Sequence, residues 1–158
     1  MSADPTILDT PQRDLTQFLS YRVVRLHHAL NAQAGAILDK VAGVTLIQWR
    51  IINMIGSGVA SSARDIAQRS KIDPGLISRT IKGLEDGGFL TTTRQKQDRR
   101  VVILALTPRG QRIFDTTMPH MQARQAALFE ALEPAEQAVI FGIFDKLECA
   151  AEQLEFDP

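Results

Sequence analysis

The feature that most constrains this chain is a helix with both ends marked. Asp73 carries a short carboxylate that can accept from free N–H groups of a first turn. Pro74 follows at the first helical position, where its missing donor costs nothing. Gly87-Gly88 closes the segment by allowing left-handed backbone angles. In between, Ile77, Ile81 and Leu84 fall at i, i+4 and i+7, which predicts one buried stripe. Gly75, Ser78, Arg79 and Lys82 fall on the opposite side, with Leu76 and Thr80 on a flank. A face holding a long cation, a short hydroxyl and a glycine can enter a groove and touch base edges.

The neighbouring stretches restrict the fold further. Ser62-Ala63-Arg64-Asp65 resembles a capping box with Asp in place of Glu or Gln, opening a short helix that buries Ile66 and Ala67. Ile72 sits in the turn between the two helices. Phe89–Arg94 and Val101–Leu106 are rich in strand-favouring residues. Gln95-Lys96-Gln97-Asp98-Arg99-Arg100 between them is polar and mostly basic, as a hairpin tip should be. Helix, turn, helix and basic-tipped hairpin together predict a winged helix-turn-helix. The fold class is mainly α with a small β-hairpin wing (α+β).

Charge is segregated in the same place. From Ser61 to Arg112 eleven cations face five anions, a surplus of six, whereas the whole chain balances 18 against 18. A neutral chain that concentrates cations on the elements suited to a groove presents a face for a polyanion. Within it Arg79 is the base-contact candidate, Gly75 and Ser78 allow close approach, and Leu76 on the flank counts among the DNA-binding residues. Lys82 and Ser62 are placed to hold phosphate. Arg94, Lys96 and Arg99 supply sequence-blind attraction.

The remaining sequence is helical and apolar on stripes. Asp9 or Thr10 can cap a first helix with Pro11 at its first position, running to about Lys40. Leu15, Phe18, Leu19, Val23, Leu26 and Leu30 recur along it, and Ala42-Gly43 closes it. Thr45-Leu46-Ile47-Gln48 is a capping box for a helix carrying Trp49, Ile52 and Ile55, with Ile51 and Met54 adding apolar surface. Gly56-Ser57-Gly58 ends it, and Val59-Ala60 leads on as a very short strand against the wing. Thr107-Pro108 opens a helix to about Ala131, in which Pro119 predicts a kink or interruption. Glu133-Pro134 opens a last helix with Ile140, Ile143, Phe144, Leu147, Ala151 and Leu154 on one face. The expected organisation is a flexible terminus over 1–9, helical dimerisation regions over 10–42 and 108–156, and a DNA-binding winged unit over 45–107. Helices from two chains would form a two-fold interface.

Composition excludes several classes. A single cysteine, Cys149, rules out an internal disulfide and suits a reducing cytoplasm. No run of 18 apolar residues exists, so no membrane span is expected. The start of the chain lacks a signal-peptide pattern. No nucleophile elbow, carboxylate pair or ligand cluster points to an enzyme, a cofactor or a metal site. His27 and His28 are adjacent, so they face different directions and read as packed or dimer-facing residues. Cys149 reads as a small half-buried residue.

Four segments resemble the MarR family of bacterial transcriptional regulators. These are Ser62–Ala67, the helix end from Ile77 to Gly88, the Asp98-Arg99-Arg100 wing, and Leu106-Thr107-Pro108-Arg109-Gly110. The helical layout on either side is similar too. The resemblance implies a homodimer on double-stranded DNA, acting as a repressor at a palindromic operator. It implies that Arg100 enters the minor groove and that Asp98 orients it. It also implies a small aromatic carboxylate or phenolic effector, for which Arg25, His28 and Trp49 are the candidate contacts. The alternatives are a winged-helix module that binds protein, and a non-specific architectural DNA binder.

Overall fold

The buried stripe of the marked helix is where the core is built. A computed structural model describes residues 14–94 and 102–153. In chain order it contains a 3₁₀ turn Leu15–Gln17, helices α1 (Leu19–Ala42), α2 (Leu46–Gly56), α3 (Ala63–Ser70) and α4 (Pro74–Asp86), strands β1 (Leu90–Arg94) and β2 (Val102–Leu106), and helices α5 (Pro108–Glu130) and α6 (Pro134–Glu152). The expected winged helix-turn-helix with a two-stranded antiparallel hairpin is present. The chain divides into two compact units, residues 1–118 and 119–158.

In the first unit, Ile77, Ile81 and Leu84 of α4 are 1%, 7% and 0% exposed, as the spacing predicts. They join Leu38 of α1, Ile51 and Ile52 of α2, Ile66 of α3, Leu90 of β1 and Leu104 of β2 in the buried core. Each fully buried Ile or Leu contributes ~1.5–3 kcal/mol, so this stripe holds α4 to its support. Trp49 is buried and stacks on Phe114, with ring centroids 6.2 Å apart. Ile51 is wholly buried, while Ile55 is only half-buried, the reverse of their expected ranking. The reason is that α2 is covered on more than one side, so its apolar face is wider than a single stripe.

The caps follow the sequence closely. Thr45 and Gln48 form the reciprocal capping box of α2. Gly43 ends α1 at φ 61°, the left-handed region, and its N–H donates to the Asp39 carbonyl. At the end of α4 the work is divided. Gly87 stays right-handed at φ −77°, and only Gly88 turns left-handed at φ 71°.

Five expectations need correction. The first helix does not run unbroken from residue 10, because Phe18 is extended (ψ 135°) and separates the 3₁₀ turn from α1. Asp14 caps that turn by accepting from the Thr16 N–H at 2.9 Å, which also holds the Asp14 carboxyl below its usual range. The expected cap at Asp9 or Thr10, and the flexible terminus over 1–9, lie outside the described residues. The Ser62 box is half a box. Ser62 Oγ accepts from the Asp65 N–H at 3.1 Å, but the shorter Asp65 side chain binds Arg69 Nε at 2.8 Å. Val59-Ala60 is not a strand; a single bond from the Leu104 N–H to the Ser61 carbonyl (2.8 Å) joins that segment to β2. Pro119 does not interrupt α5, which continues to Glu130. Cys149 is exposed, not half-buried.

In the second unit, Phe129 and Phe141 pack with centroids 5.4 Å apart. Gln137 Nε2 donates to the Phe129 and Leu132 carbonyls at 2.9 and 3.0 Å, joining the two helices through the turn. Val139, Phe141, Ile143 and Phe144 remain 40–58% exposed, so the apolar face of α6 is not covered within its own unit.

Candidate nucleic-acid interface

The interface is built from the α3–α4 pair outward. Lys71 adopts φ 54° between the two helices, a left-handed turn that lets α4 cross α3. Asp73 Oδ1 then accepts from the Leu76 N–H at 2.8 Å and fixes the start of α4. With the opposite stripe buried, Ser78, Arg79 and Lys82 are exposed together on the outer face. Gly75 is half-buried, and a Cβ there would lie 3.3 Å from Arg79 Nη1. The Arg79 guanidinium therefore lies along the glycine, toward the helix start. Leu76 is 40% exposed beside it. Thr80 is turned inward locally, with Oγ1 donating to the Leu76 carbonyl at 2.8 Å.

Ser62 is half-buried and is spent as the α3 cap. Between α3 and the start of α4 lies an open hollow of about 510 Å³, lined by Ala63, Arg64, Ala67, Gln68, Lys71, Ile72, Asp73, Pro74 and Ser78. It brings Arg64 and Lys71 alongside Ser78 on the exposed side of α4. Arg94 is exposed at the end of β1. Lys96, Asp98, Arg99 and Arg100 lie outside the described residues.

The hairpin is tied to α4. Thr92 Oγ1 donates to Glu85 Oε1 at 2.5 Å, and β1 pairs with β2 from Leu90↔Leu106 to Arg94↔Val102. The turn between α4 and β1 is gripped from the other side. The Gly87, Gly88 and Phe89 carbonyls accept, in order, from Arg109 Nη1 (2.9 Å), Thr107 Oγ1 (2.7 Å) and the Thr107 N–H (3.0 Å). Thr107 Oγ1 also accepts from the Gly110 N–H at 3.1 Å, capping α5. Sequence reasoning noticed Leu106-Thr107-Pro108-Arg109-Gly110 only as a motif. The Thr-Pro start was the available signal, but its partners lie about twenty residues earlier.

The three effector candidates are not brought together. Arg25 and His28 are exposed on α1, whereas Trp49 is 4% exposed in the core. Among the described residues no hydrogen bond or ring contact links Trp49 to either. On α1, His27 Nε2 lies 2.9 Å from Asn31 Nδ2, and Asn31 Oδ1 accepts from Arg50 Nη2 of α2 at 3.2 Å. Among the described residues no group of three or more His, Cys, Asp or Glu is placed to hold a metal.

A helix pair with an outward cationic face and a hairpin beside it defines a winged helix-turn-helix protein. Residues 42–101 match the MarR family model, the same family that the four sequence segments resemble. The HTH-type transcriptional regulator BilQ of Clostridium symbiosum is 26% identical over 105 residues, covering 66% of this chain and 73% of that protein. A MarR/EmrR family transcriptional regulator from Acinetobacter sp. ADP1 superposes with a TM-score of 0.81 at 23% identity, covering 89% and 99% of the two chains. The S. aureus MepR–DNA complex gives a TM-score of 0.78 at 17% identity, over 85% and 98%. NadR in complex with 4-hydroxyphenylacetate gives 0.71 at 22% identity, over 92% and 100%. At these identities the structural likeness is one of fold.

Proposed function

We infer that this chain is a sequence-specific, DNA-binding transcriptional regulator that acts as a homodimer on a palindromic operator, as a repressor. The observation that carries this is α4 itself. Its apolar stripe is fully engaged while Ser78, Arg79 and Lys82 stand outward together. Arg79 reads a base edge, with Gly75 and Ser78 permitting close approach and Leu76 flanking them. Lys82 and the Ser62 end of α3 face phosphate, and Arg94, Lys96 and Arg99 add long-range attraction. Arg100, oriented by Asp98, enters the adjacent minor groove, a role that rests on the family resemblance.

Two copies are needed because one operator half-site is short and the second lies ~34 Å along the duplex. Support comes from uncovered apolar side chains in each unit: Leu19, Val23, Val24 and Leu26 on α1, and Val139, Phe141, Ile143 and Phe144 on α6. The segments 10–42 and 108–156 are accordingly the dimerisation region, and 45–107 the reading unit. A small aromatic carboxylate or phenolic compound releases the dimer. NadR with bound 4-hydroxyphenylacetate supports that class of effector. Arg25 and His28 are its surface contacts, and Trp49 can serve only as an interior wall. No helix among the described residues is long and apolar enough to cross a membrane, and a regulator of this kind works in the cytoplasm.

Gel shift on the gene's own upstream region, across a salt series, tests the reading. A retarded dimer complex that prefers one inverted repeat is expected. No shift would favour a protein-binding module, and a shift without preference an architectural binder. For the effector, 4-hydroxyphenylacetate should raise the melting temperature and weaken the shift.

A further inference from the structure

We propose that Arg109 is a positioning residue for DNA reading: it locks the exit of the recognition helix to the start of α5 and does not contact phosphate. This rests on the DNA-binding reading above. By sequence Arg109 belongs to the basic surplus, and it is exposed. Its guanidinium is nevertheless committed. Nη1 donates to the Gly87 carbonyl at 2.9 Å, and Cζ sits 4.4 Å from the centroid of the Phe89 ring. A cation at a helix C-terminus complements the partial negative charge of its carbonyls. Stacking on an aromatic face orients the same group from a second direction.

The surroundings make this contact a stop. The Phe89 ring in turn covers Gly87, where an added Cβ would lie 3.0 Å from Phe89 Cδ2. Glycine, ring and guanidinium thus contact one another. Thr107 holds the next two carbonyls of the same turn, at Gly88 and Phe89. Three consecutive carbonyls between α4 and β1 are therefore held by Thr107 and Arg109. The angle at which α4 leaves the core sets where Arg79 and Ser78 arrive in a groove. Of the three bonds, the one from Arg109 lies nearest to α4. Loosening it would blur the choice between base edges while leaving the number of phosphate contacts unchanged.

The test compares wild type with Arg109→Gln and, as a charge-preserving change in the stack, Phe89→Leu. The probe is a duplex selected by the wild-type dimer from a random pool, against a scrambled duplex of equal length. Both variants are expected to lose about tenfold in the preference for the selected duplex, the worth of roughly one base pair of discrimination. The slope of log affinity against log salt is expected to stay at the wild-type value. A phosphate contact would lower that slope by ~0.9 for each cation removed, and only in Arg109→Gln. That result, or unchanged preference in both variants, would overturn the proposal. Hydrogen exchange of the free protein gives a second readout that needs no DNA. Amides from Leu84 to Leu90 should exchange faster in Arg109→Gln with the melting temperature kept, and unchanged exchange there also overturns it. If the wild type selects no duplex at all, the DNA-binding reading falls, and exchange alone decides whether the lock exists.

Discussion

Gly110→Ala should be the most damaging single-methyl change in the winged unit. Gly110 is buried in the first turn of α5, and an added Cβ would lie 2.1 Å from the Phe89 carbonyl oxygen and 3.1 Å from its carbon. Separations under 3.0 Å essentially never occur for a real Cβ, and both atoms are backbone, so no rotamer change relieves the clash. Either α5 or the α4–β1 turn must move by roughly 1 Å, an overpacking cost of ~1–3 kcal/mol. That movement also stretches the 3.0 Å bond from the Thr107 N–H to the same oxygen, adding ~0.5–1.5 kcal/mol. The sum is about 2–4 kcal/mol, and for a chain of this size each kcal/mol lowers the melting temperature by about 2–4 °C. Thermal and urea unfolding should therefore show a loss of roughly 5–15 °C at unchanged m-value. Gly83→Ala is the matched control. A Cβ there meets nothing within 4 Å, and alanine in an exposed helix interior should stabilise by ~0.5–1 kcal/mol. A Gly110→Ala melting temperature equal to wild type, or a loss as large in Gly83→Ala, would refute the close-approach reasoning.

Other substitutions separate the core from the reading face. Trp49→Ala removes the stacked partner of Phe114 and should cost ~3–5 kcal/mol in urea unfolding, since large aromatic truncations leave a cavity. Asp73→Ala removes the cap on the Leu76 amide and should cost ~1 kcal/mol, with faster exchange at that amide and little change elsewhere. Arg79→Ala should lose affinity mainly for duplexes carrying one preferred base, whereas Lys82→Ala should lose it evenly and flatten the salt slope by ~0.9 per contact, both read by fluorescence anisotropy. Arg100→Ala should weaken operator binding at least several-fold with an unaltered melting curve; equal affinity at moderate salt counts against the wing.

What could be read from the sequence is what short-range chemistry decides. The Thr45–Gln48 box, the Asp73-Pro74 start and the left-handed glycines at 43 and 88 involve partners within four residues. The α4 stripe was equally legible because one helix face meets one core. Apolar spacing alone could not find the break at Phe18, since Leu15, Phe18 and Leu19 fit a helix, while Phe18 is extended between α1 and the 3₁₀ turn that Asp14 caps. The same limit applies to Asp65, which looked like half of a capping box. A carboxylate one methylene shorter than glutamate found Arg69 one turn on instead of its own helix start. Arg109 was out of reach for another reason: its partner at Gly87 is 22 residues away, and only the closed hairpin brings them together.

That distinction changes how the basic surplus should be counted. The eleven cations between Ser61 and Arg112 contribute to the long-range field whatever they touch, and five anions reduce it. Counterion release is different, because it follows only from cations that meet phosphate. Arg69 is bound to Asp65, a surface pair worth little in stability but enough to aim the side chain along α3. Arg109 is bound to Gly87 and stacked on Phe89. Arg79, Lys82 and Arg94 are exposed on the elements proposed to reach a duplex. On-rates should thus respond to the full surplus, while the equilibrium salt slope should fall well below the ~0.9 per cation that all eleven would supply. A slope per subunit that accounts for all eleven would mean that Arg69 and Arg109 leave their partners on binding, and that the α4 exit is remade in the complex.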